Sequence, residues 1–271
     1  MALDQARMSA TPPREDLWHW RLVATGMAFT LFGLGGLLLR LVIFPLQRLL
    51  PADTAARRRR ARATINLAFR HFVWFMVRTG ILRIDIVNGH RLGQPGQMVI
   101  ANHPSLLDVV FLIAQIRDAN CIVRHGLATN RFTRGAVCGA GYVTNDESAD
   151  MLDRAAQALR DGETLIVFPE GTRTPAGGMP VFHRGACAIA LRGARVVTPV
   201  VIHMNPRSLS KGQPWYRIPY RRMHYRIEVG EDLDPSHWAS RHAGPVAGRR
   251  MNEYLHHYFE QELAHHEATG T

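Results

Sequence analysis

The stretch TLIVFPEGTR, residues 164–173, joins a compact apolar run to a polar turn. A short run of largely β-branched residues that ends at proline and glycine is typical of a strand buried on both faces of a sheet. Similar apolar runs occur at 98–100, 121–123 and 196–202, and alternating apolar and polar residues occur at 83–87 and 225–229. Helical patterns separate these runs, near 105–117, 147–161, 184–193 and 246–264. The alternation predicts an α/β domain with a mixed, largely parallel central sheet flanked by helices.

The sequence NHPSLLD, residues 102–108, follows one of these apolar runs. Because the residue before a proline avoids the helical region, His103 is expected in a turn, with Pro104 at the start of the next helix. Asp108 then lies one turn inside that helix, where its carboxylate can reach back toward the His103 imidazole. A carboxylate on one ring nitrogen fixes the tautomer and makes the other nitrogen a better base. The alternative is a histidine at a helix cap beside a solvated aspartate.

The turn FPEGTR, residues 168–173, is the second candidate site. If the strands before the two motifs are parallel, both turns leave the same edge of the sheet, where α/β proteins bind ligands. Gly171 lets the backbone approach a ligand, Glu170 accepts hydrogen bonds from hydroxyl groups, and Arg173 can clamp a phosphate. The alternative is a β-turn with a surface ion pair. The chain has no G-x-S-x-G sequence, so a serine hydrolase is not expected.

The N-terminal part of the chain differs from the rest in its pattern of apolar and charged residues. Residues 1–20 are predicted to be a disordered leader. The uncharged run 22–39 makes a helix of roughly 27 Å, close to the hydrocarbon thickness of a bilayer, and 61–79 has a basic amphipathic pattern. The segment 21–80 therefore predicts a membrane helical hairpin, and its arginines favour a cytoplasmic α/β domain at 81–271. A signal peptide or a buried helix is the alternative for the first helix, and a core-facing helix for the second.

The amino-acid composition of the chain limits the classes of molecule that it is expected to bind. The chain of 271 residues carries a formal net charge of +11, from 33 lysines and arginines against 22 acidic residues. Such a charge favours an anionic partner, which includes acidic lipid headgroups, a phosphorylated cofactor and nucleic acid. The three cysteines have no CxxC spacing, which excludes a zinc ribbon and a disulfide-rich scaffold. Histidines and acids do not cluster at ligand spacing, so no metal is expected.

Together, the two motifs resemble those of the glycerolipid acyltransferase family, whose members include 1-acylglycerol-3-phosphate acyltransferases. Four blocks of the family have counterparts here: N-H-x4-D at Asn102, His103 and Asp108, a basic residue at Arg124, F-P-E-G-T-R at 168–173 and an apolar block with a proline at 197–201. The resemblance covers residues 80–205. The leading hairpin is also similar to that of bacterial members.

The resemblance implies a membrane-bound O-acyltransferase of phospholipid biosynthesis. It would move a fatty acyl group from acyl-CoA or acyl carrier protein to the hydroxyl of a lysolipid, foremost 1-acylglycerol 3-phosphate. His103 would be the general base, Asp108 would orient it, and amides at the start of the following helix would stabilise the oxyanion. The acceptor would be held by Glu170, Gly171, Thr172, Arg173 and Arg124. No metal, no cofactor beyond the thioester and no nucleic acid is implied, and the expected location is the bacterial inner membrane, with the catalytic domain cytoplasmic.

One position departs from the family pattern. The family's second block commonly reads G-x-I-x-I-x-R, with an arginine that binds the acceptor's phosphate, whereas the stretch here ends at Asp146. An acid repels a phosphate dianion. Either Arg131, Arg134 or Arg173 holds the phosphate from another side, or the acceptor is a phosphate-free lipid alcohol such as a hydroxylated amino lipid. From other functional classes, a nucleic-acid-binding protein and a catalytically silent lipid-binding protein remain as alternatives.

Overall fold

The computed structural model describes residues 17–145, 149–174, 180–210 and 212–269. Residues 1–16 of the predicted leader lie outside these ranges, and so does Asp146. The first helix begins at Trp18, so the prediction of a disordered leader that reaches residue 20 is wrong for residues 18–20. The indole of Trp20 donates a hydrogen bond of 2.9 Å to the carbonyl of Thr79, which holds the start of this helix in place.

Within the described ranges, seven strands form the sheet. They are β1 Leu82–Val87, β2 Gln97–Ala101, β3 Ala119–Arg124, β4 Val143–Asn145, β5 Thr164–Val167, β6 Val196–Asn205 and β7 Met223–Val229. Their order is β1-β7-β6-β2-β5-β3-β4, and every neighbouring pair is parallel except β6 with β7. The mixed, largely parallel sheet is thus confirmed. The sequence did not predict β4, because three residues are too few for a recognisable alternation.

Helices cover both faces of the sheet. They are α1 Trp18–Arg48 with a π-helical segment at Leu39–Ile43, α2 Thr54–Arg78, α3 Asp108–Gln115, α4 His125–Thr129, α5 Arg134–Ala140, α6 Ala149–Arg160, α7 Gly185–Gly193, α8 Ser236–Arg241 and α9 Gly244–Thr269. One core lies between the sheet and α1, α2, α3 and α5. The other core lies between the sheet and α6, α7 and α9.

The strand order explains how the two motifs meet. β2 lies between β6 and β5, and β5 pairs with β3, all parallel. The carboxyl ends of these strands therefore open on one edge of the sheet, where the segments after β2, β3, β5 and β6 begin. Alternate side chains of β2 pack into opposite cores, with Val99 in one and Met98 in the other. Because both faces of β2 are buried, the run 98–100 does not alternate between apolar and polar residues.

α2 is a core helix of the α/β domain. Its side chains Ile65, Phe72 and Met76 are buried in the first core. Arg62 is buried as well, and its guanidinium donates to the carbonyl of Ala140 at 2.9 Å and pairs with Asp118 and Glu163. One apolar side of α2 thus faces the sheet, as in the core-facing alternative, while Leu67 and Trp74 on its other side are exposed. The division of the chain at residue 80 into a hairpin and a catalytic domain stays a prediction.

α1 lies along the domain with one side packed and the other exposed. Arg21, Ala24 and Ala28 are buried, whereas the opposite side carries an exposed apolar stripe, formed by Val23, Met27, Leu31, Leu34 and Leu38. The packing is close at Gly36, where a Cβ would clash with the carbonyl oxygen of Phe132. Among the described residues, α1 is the one helix long and apolar enough to cross a membrane.

Candidate active site

His103 and Asp108 are hydrogen-bonded at the carboxyl end of β2. Nδ1 of His103 lies 2.8 Å from Oδ2 of Asp108. The Asp108 side chain is fully buried, while that of His103 keeps 18% of its surface exposed. Because a carboxylate only accepts hydrogen bonds, the proton between them sits on Nδ1, and Nε2 keeps a lone pair. The arrangement leaves Nε2 as the atom that can take a proton from a bound molecule.

The helix after this pair is shorter than predicted. It runs from Asp108 to Gln115 instead of from 105 to 117. The N–H and the hydroxyl of Ser105 donate to the two carboxylate oxygens of Asp108, at 2.7 Å each, and this holds residues 105–107 in a turn. The amide of Leu107 donates to the Ser105 hydroxyl. The predicted use of amides at the helix start for an oxyanion is therefore wrong for Ser105 and Leu107, since both are engaged.

Tyr225 on β7 completes a buried hydrogen-bond chain behind the pair. Its hydroxyl donates to Oγ of Ser105 at 3.0 Å, so Tyr225, Ser105, Asp108 and His103 are linked in sequence. Burial raises the pKa of Tyr225 well above its usual value, which keeps the phenol a donor. The ring of Phe168 stacks on His103 with centroids 4.3 Å apart. Nothing in the sequence indicates that Ser105 and Tyr225 support the pair, because Tyr225 reaches the site only through the antiparallel β6–β7 pairing.

Replacing Tyr225 with phenylalanine is expected to lower kcat about 2- to 10-fold with little change in KM, because one neutral hydrogen bond to Ser105 is lost. Steady-state kinetics would measure this. In the double variant with Ser105→Ala the losses should not add, since both act through Asp108. An unchanged kcat, or losses that add in full, would show that the chain does not position His103.

Asn102 and Glu170 fix the backbone around His103. The Asn102 side chain donates to the carbonyl of Ile202 at 2.9 Å and accepts from its N–H at 2.7 Å, so it extends the pairing with β6. Oε1 of Glu170 accepts from the N–H of His103 at 2.8 Å and from the Thr174 hydroxyl at 3.0 Å. The Thr174 N–H in turn donates to the carbonyl of His103 at 2.7 Å. The turn after β5 thereby holds both backbone groups of His103.

The structure gives Glu170 a structural role beside its predicted contact with the acceptor, which stays a prediction. Its side chain is buried, and Oε1 already has two donors. Burial raises the pKa of Glu170, while the hydrogen bonds from His103 and Thr174 favour the carboxylate. Glu170 is thus a brace for the histidine loop. Its neighbour Gly171 has a φ of +61°, a left-handed conformation that favours glycine, and Thr172 is half-buried in the same turn.

Two arginines face each other across this turn. Arg124, at the end of β3, donates to the carbonyl of Gly171 at 3.2 Å. Nη1 of Arg173 donates to the carbonyls of Leu209 and Ser210, at 2.7 and 3.2 Å. Partial burial lowers the pKa of Arg173, and the nearby positive charge of Arg124 lowers it further. An anion between the two guanidinium groups would relieve this repulsion, so the pair is suited to a phosphate.

Comparison with known proteins indicates the family of the chain. Residues 83–203 match the family model described as Acyltransferase. The 1-acyl-sn-glycerol-3-phosphate acyltransferase of Helicobacter pylori is 27% identical over 172 residues, which covers 60% of this chain and 70% of that protein. The protein of the same name from Pseudomonas aeruginosa is 22% identical over 213 residues, which covers 76% and 79%. These matches support the glycerolipid acyltransferase family. The protein is an acyltransferase.

A solved member of the glycerolipid acyltransferase family has the same fold. The crystal structure of the 1-acyl-sn-glycerophosphate acyltransferase PlsC from Thermotoga maritima aligns with a TM-score of 0.69 at 18% identity, over 92% of this chain and 98% of that chain. Both the fold class and the family predicted from the motifs are confirmed.

The remaining arginines proposed for this acyltransferase lie elsewhere. The carbonyl of Arg131 accepts from Arg40 of α1 at 2.9 Å, and Arg134 begins α5, so both lie on the side of the domain that packs against α1. The structure brings Arg124 and Arg173 together at the motif turns instead.

The buried cysteines are unsuited to form an acyl-enzyme. Cys121 is buried in β3, and burial raises its pKa to about 12, so the thiolate is scarce at neutral pH. Cys187 in α7 is also buried, with its pKa raised to about 12. Neither thiol is a ready nucleophile, which agrees with direct transfer between thioester and acceptor.

Proposed function

We propose that this acyltransferase transfers a fatty acyl group from the thioester of acyl-CoA or acyl carrier protein to the free hydroxyl of 1-acylglycerol 3-phosphate. The observation that carries the proposal is the His103–Asp108 pair beside Arg124 and Arg173, which combines a base with a cationic site at one edge of the sheet. The names of the Helicobacter pylori and Pseudomonas aeruginosa relatives contain the same acceptor. The formal charge of +11 suits the phosphates of coenzyme A, an acidic carrier protein and an anionic lipid surface.

In the proposed mechanism His103 acts as general base. Nε2 takes the proton of the acceptor hydroxyl as its oxygen attacks the thioester carbonyl, while Asp108 holds Nδ1 and stabilises the imidazolium. The tetrahedral intermediate collapses to the ester and expels the thiolate, which takes up the proton that Nε2 of His103 received from the hydroxyl. The products are the diacyl lipid and the free thiol. A thiolate leaves readily, so no stronger acid than the imidazolium is required.

The acceptor's phosphate would lie between Arg124 and Arg173, with Gly171 and Thr172 beside it. This is the first of the two explanations for the acid at position 146, because cations from another side replace the missing arginine. The second candidate is a phosphate-free lipid alcohol, and the sequence observation that favours it is Asp146 itself. The two candidates differ in one chemical group, so a matched pair of acceptors separates them.

The test uses the purified full chain, acyl-CoA and either 1-acylglycerol 3-phosphate or 1-acylglycerol without the phosphate. Release of free thiol reports turnover, and mass spectrometry identifies the lipid product. Transfer to the phosphate acceptor, with little to the other, is the expected result. Preferred transfer to the phosphate-free acceptor would establish the second candidate. Binding of lipid without thiol release from any acceptor would identify a catalytically silent lipid-binding protein.

Replacing Arg124 with glutamine is expected to lower kcat/KM for 1-acylglycerol 3-phosphate about 10- to 100-fold, because one charge-assisted contact to the phosphate is lost. Arg134→Gln, an exposed arginine on α5, is the matched control and should change it little. Kinetics at several acceptor concentrations would measure both. Equal losses in the two variants would mean that net charge, and not a phosphate site at Arg124, is responsible.

We also place the protein at the bacterial inner membrane, with the catalytic domain in the cytoplasm. α1 contacts the domain from Arg21, which donates to carbonyls at 219–221, to Phe44, which packs on Gly139. A helix of 31 residues is about 46 Å long. If α1 crossed the bilayer upright, the segments packed along it would enter the hydrocarbon with their arginines, which is costly. The packing therefore favours a position of α1 in one leaflet, with its apolar stripe facing the hydrocarbon.

A further inference from the structure

The connection between β6 and β7, residues 206–222, carries exposed aromatic side chains that the reaction does not use. We name it the aromatic loop. Trp215, Tyr216 and Tyr220 are 42%, 60% and 36% exposed. The sequence of the loop also contains four arginines and one lysine, with no acidic residue. Exposed aromatic rings with polar tips in a segment rich in basic residues are typical of a surface that meets the interface of an anionic membrane.

The aromatic loop is fixed against α1. The Trp215 ring lies 5.7 Å from that of Phe29, and a Cβ at Gly26 would touch it at 3.5 Å. The buried guanidinium of Arg21 donates to the carbonyls of Pro219, Tyr220 and Arg221, at 3.2, 2.5 and 3.1 Å. These contacts hold the aromatic side chains at a set position relative to the helix.

A second exposed ring lies on the same flank of α1. Phe132 is 40% exposed and packs beside Gly33 and Gly36. Gly26, Phe29, Gly33 and Gly36 follow the spacing of one helix face, so Trp215 and Phe132 line the same side of α1. That side borders the exposed apolar stripe of α1. The rings thus widen the stripe into a broader apolar surface rather than forming a separate patch.

The other end of the aromatic loop reaches the candidate active site. The carbonyls of Leu209 and Ser210 accept hydrogen bonds from Arg173, at 2.7 and 3.2 Å. The same short segment therefore connects the apolar surface beside α1 with an arginine at the carboxyl edge of the sheet. Whatever the aromatic loop rests on lies close to the mouth of the site.

We propose that the aromatic loop is a second membrane-contacting element, which rests on anionic phospholipid headgroups beside α1 and turns the carboxyl edge of the sheet toward the lipid surface. The inference rests on the proposed membrane function and extends it from α1 to the catalytic domain itself. Continuity with the apolar stripe favours lipid over an acidic carrier protein as the occupant, because a soluble acidic partner would match the arginines but not the stripe.

The test places a fluorescent label at single positions of the full chain. On a Cys138→Ser background, which removes the exposed thiol, the label is attached to Tyr216→Cys, to Leu34→Cys on the apolar stripe or to Tyr254→Cys on α9. Vesicles of phosphatidylglycerol carry a nitroxide either at the headgroup or deep in the acyl chain. The label at 216 should be quenched most by the headgroup nitroxide, the label at 34 by the deeper one, and the label at 254 by neither.

The outcomes separate the two proposals. Quenching at 34 without quenching at 216 would overturn the aromatic-loop proposal and leave membrane association by α1 intact. Absence of quenching at both positions would overturn both. Arg217→Gln should weaken partitioning onto anionic vesicles about five-fold, while the exposed Arg249→Gln on α9 should not. Equal partitioning of the Arg217 variant and the unchanged chain would contradict the anionic headgroup contact. If an acidic carrier protein changes the fluorescence of the label at 216 and vesicles do not, the aromatic loop binds that protein and the proposal is overturned.

Discussion

Replacing His103 with alanine is expected to lower turnover by about 10²- to 10⁴-fold, because the general base is removed while Asp108 and its other donors stay in place. The side chain is partly exposed and its backbone is held by Glu170 and Thr174, so the fold should persist. Thiol release with acyl-CoA and 1-acylglycerol 3-phosphate would measure turnover, and thermal unfolding would check the fold.

His237→Ala, at an exposed position of α8, is the matched control and should keep full activity. Turnover of the His103 variant within a few-fold of the unchanged chain would remove the proposed mechanism. A trapped acyl-enzyme in either variant would do the same, since it would require a nucleophile that the direct transfer does not use.

Replacing Asp108 with asparagine is expected to be as severe as the loss of His103, at about 10³- to 10⁴-fold. The amide has nearly the same shape, but it presents an NH₂ group where a carboxylate oxygen stood. If that group donates to Nδ1 of His103, the ring proton must move to Nε2, and the base is lost. The retained amide oxygen can still accept from the Ser105 hydroxyl, whereas the NH₂ group replaces the oxygen to which the Ser105 N–H donates. Thermal unfolding of the variant would show that the loss of activity does not come from unfolding.

A double variant sharpens this expectation. His103→Ala with Asp108→Asn should be no slower than His103→Ala alone, because Asp108 acts only through the imidazole. Single-turnover measurements of acyl transfer would compare the three variants. A further loss in the double variant would mean that Asp108 has an independent contact with the substrate.

Much of the sheet could be predicted from the sequence because its central strands are buried on both faces. The apolar runs at 98–100, 121–123 and 196–202 lie within β2, β3 and β6. β4 and the short helices α4, α5 and α8 were missed, because elements of three to seven residues carry too few positions for a periodic pattern. The core-facing role of α2 was weighed only as an alternative, since nothing in its basic sequence reveals that Arg62 meets Asp118 and Glu163 from distant parts of the chain.

The candidate site was predictable where its residues are close in sequence. The pairing of His103 with Asp108 follows from a five-residue spacing and the direction of helical side chains. The late helix start was not predictable, because it depends on the Ser105 side chain binding the carboxylate. The contacts of Glu170 with His103 and of Tyr225 with Ser105 were not predictable for one reason: each joins residues far apart in sequence, through the parallel and antiparallel pairings of the sheet.

The hydrogen bonds between the 168–174 turn and the His103 backbone couple the position of the base to that of the turn. Glu170 and Thr174 hold the N–H and C=O of the residue that carries the base, while Arg173 in the same turn is the proposed contact for the acceptor's phosphate. A ligand that displaces this turn would therefore also displace the imidazole. Binding of the correct acceptor would keep the base aligned, so a poorly fitting lipid would lower kcat as well as raise KM.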